Sequence, residues 1–223
     1  MDWAMKGARP MVLPNYLFDP SAALVLDASV VINLHATGCA SRILDAIPNP
    51  IVILEVVLRE LETGRVKGRT DADMVGDLVK NGRVKLAALS PDCESNFLAL
   101  VAGSGAATLD DGEAATIAWS VAYGGIPIID EKKGSAICRE RFPHLQLGTT
   151  IDIFAHERVQ SGFVEGDLAD AIFNALTLAR MRVHEKDIAW VIRMIGQERA
   201  SLCNSLPRSK RVKAATGSPS SCP

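Results

Sequence analysis

Aromatic side chains make up only 5% of the 223 residues, so a stacking platform for nucleic-acid bases finds no support in the composition. Paired cysteines are missing too. Cys39, Cys93, Cys138, Cys203 and Cys222 are odd in number and form no C-x-x-C pair. That argues against a zinc site and a disulfide framework, and makes a reducing cytoplasm the expected setting. No apolar run approaches the ~18 residues of a membrane span. The amino terminus has no basic stretch leading into an apolar segment, so neither a secretory signal nor a membrane contact is expected. Bulk positive charge is absent: 24 Lys and Arg against 26 Asp and Glu give a net charge of −2, which excludes a polycation coating nucleic acid. What is present is 48% hydrophobic residues, enough for a core of ordinary size. The length fits one α/β domain with tails, or two small domains.

Short apolar runs alternate with helical periods. Ala23-Leu24-Val25-Leu26-Asp27, Ile51-Val52-Ile53-Leu54, Val84 to Leu89 and Ile126-Pro127-Ile128-Ile129-Asp130 read as buried strands, with a small fifth strand at Leu145-Gln146-Leu147. Helices are expected from Ser29, Glu55, Thr70, Pro91 and Asp110, through Cys138, and over about 149–161, 167–181 and 184–196, with a loop at Gly103-Ser104-Gly105. This alternation predicts an α/β fold: a mostly parallel sheet with helices on both faces. Residues 1–21 read as an arm, 22–200 as the domain, and 201–223, with four bases and no acid, as a disordered basic tail.

Four acids stand out. Asp27 and Asp130 each end an apolar strand, where open parallel sheets bind ligands; each is equally placed to cap the next helix. Glu60 flanks the Val57 and Leu61 stripe of its helix and either enters a cleft or reaches into solvent. Glu113 stands three after Asp110, a capping-box spacing, yet Gly112, Ala114 and Ala115 around it let other elements approach closely. Carboxylates gathered in one cleft repel one another unless protonated or bound to a cation, and Mg²⁺ takes such oxygen ligands together with water and phosphate.

Taken in order, Leu26-Asp27-Ala28-Ser29-Val30-Val31-Ile32-Asn33-Leu34, Val56 to Leu61, Leu109 to Ala118 and Ile128 to Gly134 resemble the motifs of the PIN-domain ribonucleases, which include the VapC-like toxins. Leu147-Gly148-Thr149 resembles the Gly-Thr that opens the late helices in one subgroup. The similarity runs from about residue 22 to 196. It implies a three-layer α/β/α sandwich whose acidic pocket holds Mg²⁺ or Mn²⁺ through Asp27, Glu60, Glu113 and Asp130. It also implies that Ser29 orients the first Asp and that Asn33 lies near the pocket. Glu131 is the second choice to Asp130, which is preferred because it ends its strand. The implied activity is cleavage of RNA through a metal-activated water; the implied partners are an RNA substrate, a small antitoxin and a second copy of the chain.

Two positions depart from the family pattern. Ser135 stands where the subgroup often carries Arg, and Thr149 to Ile153 replaces a more usual run, a change expected to touch packing more than chemistry. Arg65, Lys67 and Arg69, together with Lys132 and Lys133, offer a track for phosphates or else solvated charge. Competing functions are a non-catalytic PIN-like module binding RNA or protein, and a phosphohydrolase using Asp27 as nucleophile. The second lacks the further Asp two residues on that the haloacid-dehalogenase-like pattern needs.

Overall fold

A computed structural model describes residues 19–102, 108–164 and 166–208. Four short strands, β1 (Leu24–Leu26), β2 (Ile51–Leu54), β3 (Val84–Ala87) and β4 (Ile126–Ile128), form an all-parallel sheet in the order β3-β2-β1-β4. Every residue of β1, β2 and β4 is buried, as expected of strands covered on both faces. Leu24 pairs with both Ile51 and Ile126, so β1 is the hinge of the order: chain order runs one way through β2 and β3 and the other way to β4. The crevice beyond the carboxyl ends of β1 and β4 is therefore the switch point where such sheets bind ligands.

The expected fifth strand shrinks to one bridge, Ile128 with Gly148. Ile129 N–H donates to the Gly148 carbonyl (2.9 Å) and Gly148 N–H to that of Pro127 (3.0 Å). Pro127 offers no N–H, so the ladder cannot extend along this edge.

Helices cover both faces. On one side α5 (Pro91–Val101), α6 (Asp111–Tyr123) and α7 (Lys132–Arg141) share a core of Leu100, Ile117, Ile129 and Cys138. On the other, α1 (Ala28–Ala36), α8 (Thr150–Ala155), α10 (Asp167–Leu178) and α11 (Ile188–Ile195) close over Val30, Phe154, Ile172 and Val191. Between them run α2 (Ala40–Ala46), α3 (Glu55–Thr63), a 3-10 turn (Gly64–Lys67), α4 (Asp71–Lys80) and α9 (Glu157–Gly162). This is a three-layer α/β/α sandwich. Phe154 is wholly buried at its centre; truncation to Ala costs about 3–5 kcal/mol.

Three expectations change. Helix α2 was not expected, because it has seven residues and its N-cap, Cys39, makes no side-chain bond. The span 149–161 is two helices, broken where His156 turns extended (ψ 132°) and caps α9 with its own ring. The packed unit also passes residue 200: α12 (Gln197–Leu202) leads to Cys203 and Leu206, both buried in the main core. Ser201 to Arg208 is therefore structure, not the start of the tail. The rest of the tail, most of the arm and the Gly103-Ser104-Gly105 loop lie outside the described residues. Among the described residues no helix is long and apolar enough to cross a membrane.

Candidate metal centre

Asp27 follows β1 and caps α1. Its Oδ2 accepts from the backbone N–H of Ser29 (3.2 Å) and from the Ser29 hydroxyl (2.7 Å). Oδ1 points instead toward the amino end of α6, where Gly112 leaves room for it. A Cβ on Gly112 would stand 3.6 Å from Asp27 Oδ1, 2.6 Å from Glu60 Oε2 and 3.7 Å from Asp110 Oδ1. Three carboxylate oxygens from β1, α3 and α6 thus lie within 4 Å of one point. A side chain there would fill the space they share.

Glu113 makes the second approach. Asp110 Oδ1 accepts from the Glu113 backbone N–H (2.9 Å), but only half of the capping box forms, because the Glu113 carboxylate turns inward. It is 5% exposed, and its Oε1 is buried without a hydrogen-bond partner. Gly134 on α7 makes room for it: a Cβ there would come 2.5 Å from Glu113 Oε1. Burial, then the charges of Asp110, Asp27 and Glu131, push Glu113 up to about 8.

Asp130 is held differently. At 2% exposure it lies two residues beyond β4 and caps neither α7 nor its own turn. Oδ2 accepts from Asn33 Nδ2 (2.7 Å) and the Thr150 hydroxyl (2.5 Å), and Oδ1 from the Thr150 backbone N–H (2.8 Å). Burial pushes it up to about 6, and those donors hold it from going further. Burial also raises Asp27, against the pull of Ser29. Glu60, on an exposed position of α3, is pushed up to about 7 by partial burial and by Asp27 and Asp110, with Arg69 pulling it down.

The structure therefore brings Asp27 and Glu60 together with Asp110, sets Glu113 beside them under their charges, and places Asp130 in a cradle of donors near Asp27. Ser29 binds Asp27 and Asn33 binds Asp130. Glu131 is drawn away into an ion pair with Arg182 (2.5 Å). Ser135 is buried, its hydroxyl on the Ile129 carbonyl (3.3 Å), so it has no access to a phosphate. The basic residues divide. Arg65 pairs with Asp73 (2.5 Å) and Arg69 with Asp71 (2.7 Å), Lys67 is exposed, and Lys132 and Lys133 stand exposed on the first turn of α7.

Two residues are only partly legible in the sequence. The doubling Asp110-Asp111 leaves open which of the two meets the other acids, and the structure brings in Asp110. Thr150 was assigned to packing, yet its amide and hydroxyl both grip Asp130, and a Thr149–Asp152 capping box fixes the turn that presents it. No local pattern links Thr150 to an acid twenty residues away.

Oxygen donors of this kind suit hard cations such as Mg²⁺ or Mn²⁺. The unpartnered Glu113 oxygen and the shared space at Gly112 fit such an ion better than they fit a closed core. Among the described residues, no three His, Cys, Asp or Glu side chains stand ready-made around a single cation position. Asp27 and Asp110 are close enough to act on the charges of both Glu60 and Glu113, and Mg²⁺ commonly keeps several waters and takes few carboxylates.

No curated protein matches the chain. Among solved structures, VapBC2 from Rickettsia felis bound to a DNA fragment from their promoter is similar at 18% identity, over 57% of this chain and 98% of that one, with a TM-score of 0.38; the two superpose only loosely. A family model described as a PIN domain (DUF3368) matches residues 23–197. That span contains all four strands and every acid of the basin, and by it the chain belongs to the PIN-domain family.

Proposed function

We propose that the chain is a metal-dependent endoribonuclease whose centre is formed by Asp27, Glu60, Glu113 and Asp130, with Asp110 as a fifth carboxylate. PIN domains are generally nucleases that use divalent ions; the specific support here is the meeting of Asp27, Glu60 and Asp110 oxygens at Gly112. When bound, Mg²⁺ or Mn²⁺ supplies Lewis acidity at a phosphoryl group and makes a water easier to deprotonate. Ser29 holds one Asp27 oxygen so that the other faces the basin. Asn33 and Thr150 keep Asp130 ionised and oriented. Glu113 and Glu60, held toward the protonated form by burial and by neighbouring acids, would give up protons to a bound cation and hold it as carboxylates. Exposed Lys132 and Lys133 offset the charge of the RNA backbone beside the acids.

The test is cleavage of a labelled RNA pool in Mg²⁺ or Mn²⁺ against EDTA, by the wild type and by Asp27→Asn. Metal-dependent cutting lost in the variant supports the proposal; equal cutting by both overturns it. The proposal extends to a role like that of the VapC-like toxins, with a small antitoxin partner and a homodimer. Growth arrest on expression, relieved by a small protein encoded beside the gene, tests that part. The rival reading, a non-catalytic binding module, draws on the buried Ser135 at the position where a phosphate-binding Arg is expected. It gains if the wild type binds RNA or a protein partner without metal-dependent turnover.

A further inference from the structure

A cavity of about 500 Å³ opens between the outer face of α1, the link into α4 and the carboxyl end of α10. Its size is that of a small-molecule site. Its chemistry is two-sided. Ile32, Ala36, Leu178 and Ala179 supply aliphatic wall, and Leu178 is 73% exposed, a large apolar side chain facing water at the rim. Opposite them Thr70 Oγ1 and His35 Nε2 lie 3.1 Å apart, each able to donate or accept. Arg69 lines the same space with its Nε on Asp71 Oδ2 (2.7 Å), which leaves the terminal guanidinium nitrogens outside that bond.

Arg69 links the cavity to the acids: its Cδ would stand 3.3 Å from a Cβ on Gly64, one helical turn after Glu60, and its charge acts on Glu60.

Resting on the nuclease reading, we propose that this cavity is a nucleobase subsite: it receives one base of the RNA strand next to the phosphate held at the acids. The base lies against the Ile32 and Leu178 aliphatics, Thr70 and His35 meet its polar edge, and Arg69 meets the connecting phosphate. Among the described lining residues the His35 imidazole is the one aromatic ring, and it is engaged with Thr70, so recognition falls mainly to the hydrogen-bonding edge and the enzyme discriminates among bases at this position.

Binding of the full chain to fluorescent hexanucleotides of single base composition, read by anisotropy in Ca²⁺, tests this. The wild type is expected to favour one base. Ala36→Leu, which fills the cavity, and Leu178→Ser, an exposed change harmless to folding, are each expected to weaken that binding about tenfold and flatten the preference. Equal affinity in both variants, or no binding of any oligomer by a wild type that hydrolyses a simple phosphodiester, overturns the subsite. Hydrolysis of bis(p-nitrophenyl) phosphate by the wild type tests the catalytic reading separately, because that ester carries no base.

Discussion

Two buried acids, one at the end of β4 and one in the first turn of α6, are treated in opposite ways. Asp130, at the β4 end, receives three hydrogen bonds from Asn33 and Thr150 and rises only to about 6. Glu113, at the α6 end, has an oxygen with no partner and stands at about 8. Both are nearly inaccessible, so burial alone does not separate them; the donors on Asp130 and the neighbouring acids' charges on Glu113 do. A satisfied carboxylate is a fixed post, whereas an unsatisfied one destabilises the resting fold and is repaid when a cation or a proton arrives. The α6 side is thus where the protein stores readiness to bind, and the α8 side is where it fixes geometry.

The largest expected effect comes from the acid between them. Asp27→Asn should lower metal-dependent RNA cleavage about a thousandfold, measured by single-turnover assay, while circular dichroism stays native. Next comes Thr150→Val, which makes the Asp130 side resemble the Glu113 side by deleting one donor at constant shape. Cleavage should fall about ten- to a hundredfold, and stability in urea by about 1 kcal/mol.

Glu113→Gln acts in the other direction. A carboxylate with a raised folded pKa binds more protons folded than unfolded, so stability falls as pH rises from its unfolded value of about 4.5 toward about 8. Above pH ~7.5, where the histidines His156 and His184, held low in the fold, are deprotonated in the unfolded chain too, the metal-free wild type should lose thermal stability up to pH ~8. The variant should flatten that slope, and saturating Mn²⁺ should abolish it in the wild type. The smallest effect is Arg65→Ala: the residue is exposed and already paired with Asp73, so stability should change by less than about 0.5 kcal/mol and RNA affinity only slightly.

The contrast between the two acids also marks how far sequence reading reaches. Strand-ending Asp27 and Asp130, and the runs that became β1 to β4, follow from local pattern because apolar strands buried on both faces have no polar break. Glu60 was ambiguous, since helical periodicity does not say whether a flank residue meets a cleft; Gly112 across the way decides it. The Asp110–Glu113 spacing pointed to a capping box, and only the cap half exists, because Gly134 on another helix offers Glu113 a deeper place. Thr150 and the break at His156 depend on contacts between elements far apart in sequence, to which propensity is blind.

Calorimetric titration of Mn²⁺ at pH 7, in two buffers of different ionisation heat, reads both halves of the account at once. The wild type should bind the ion with release of protons from Glu113 and its neighbours, and Glu113→Gln should release fewer while Asp27→Asn binds weakly or not at all. Binding that is equal in all three proteins, or no binding by the wild type at millimolar Mn²⁺, would contradict a cation held among these carboxylates.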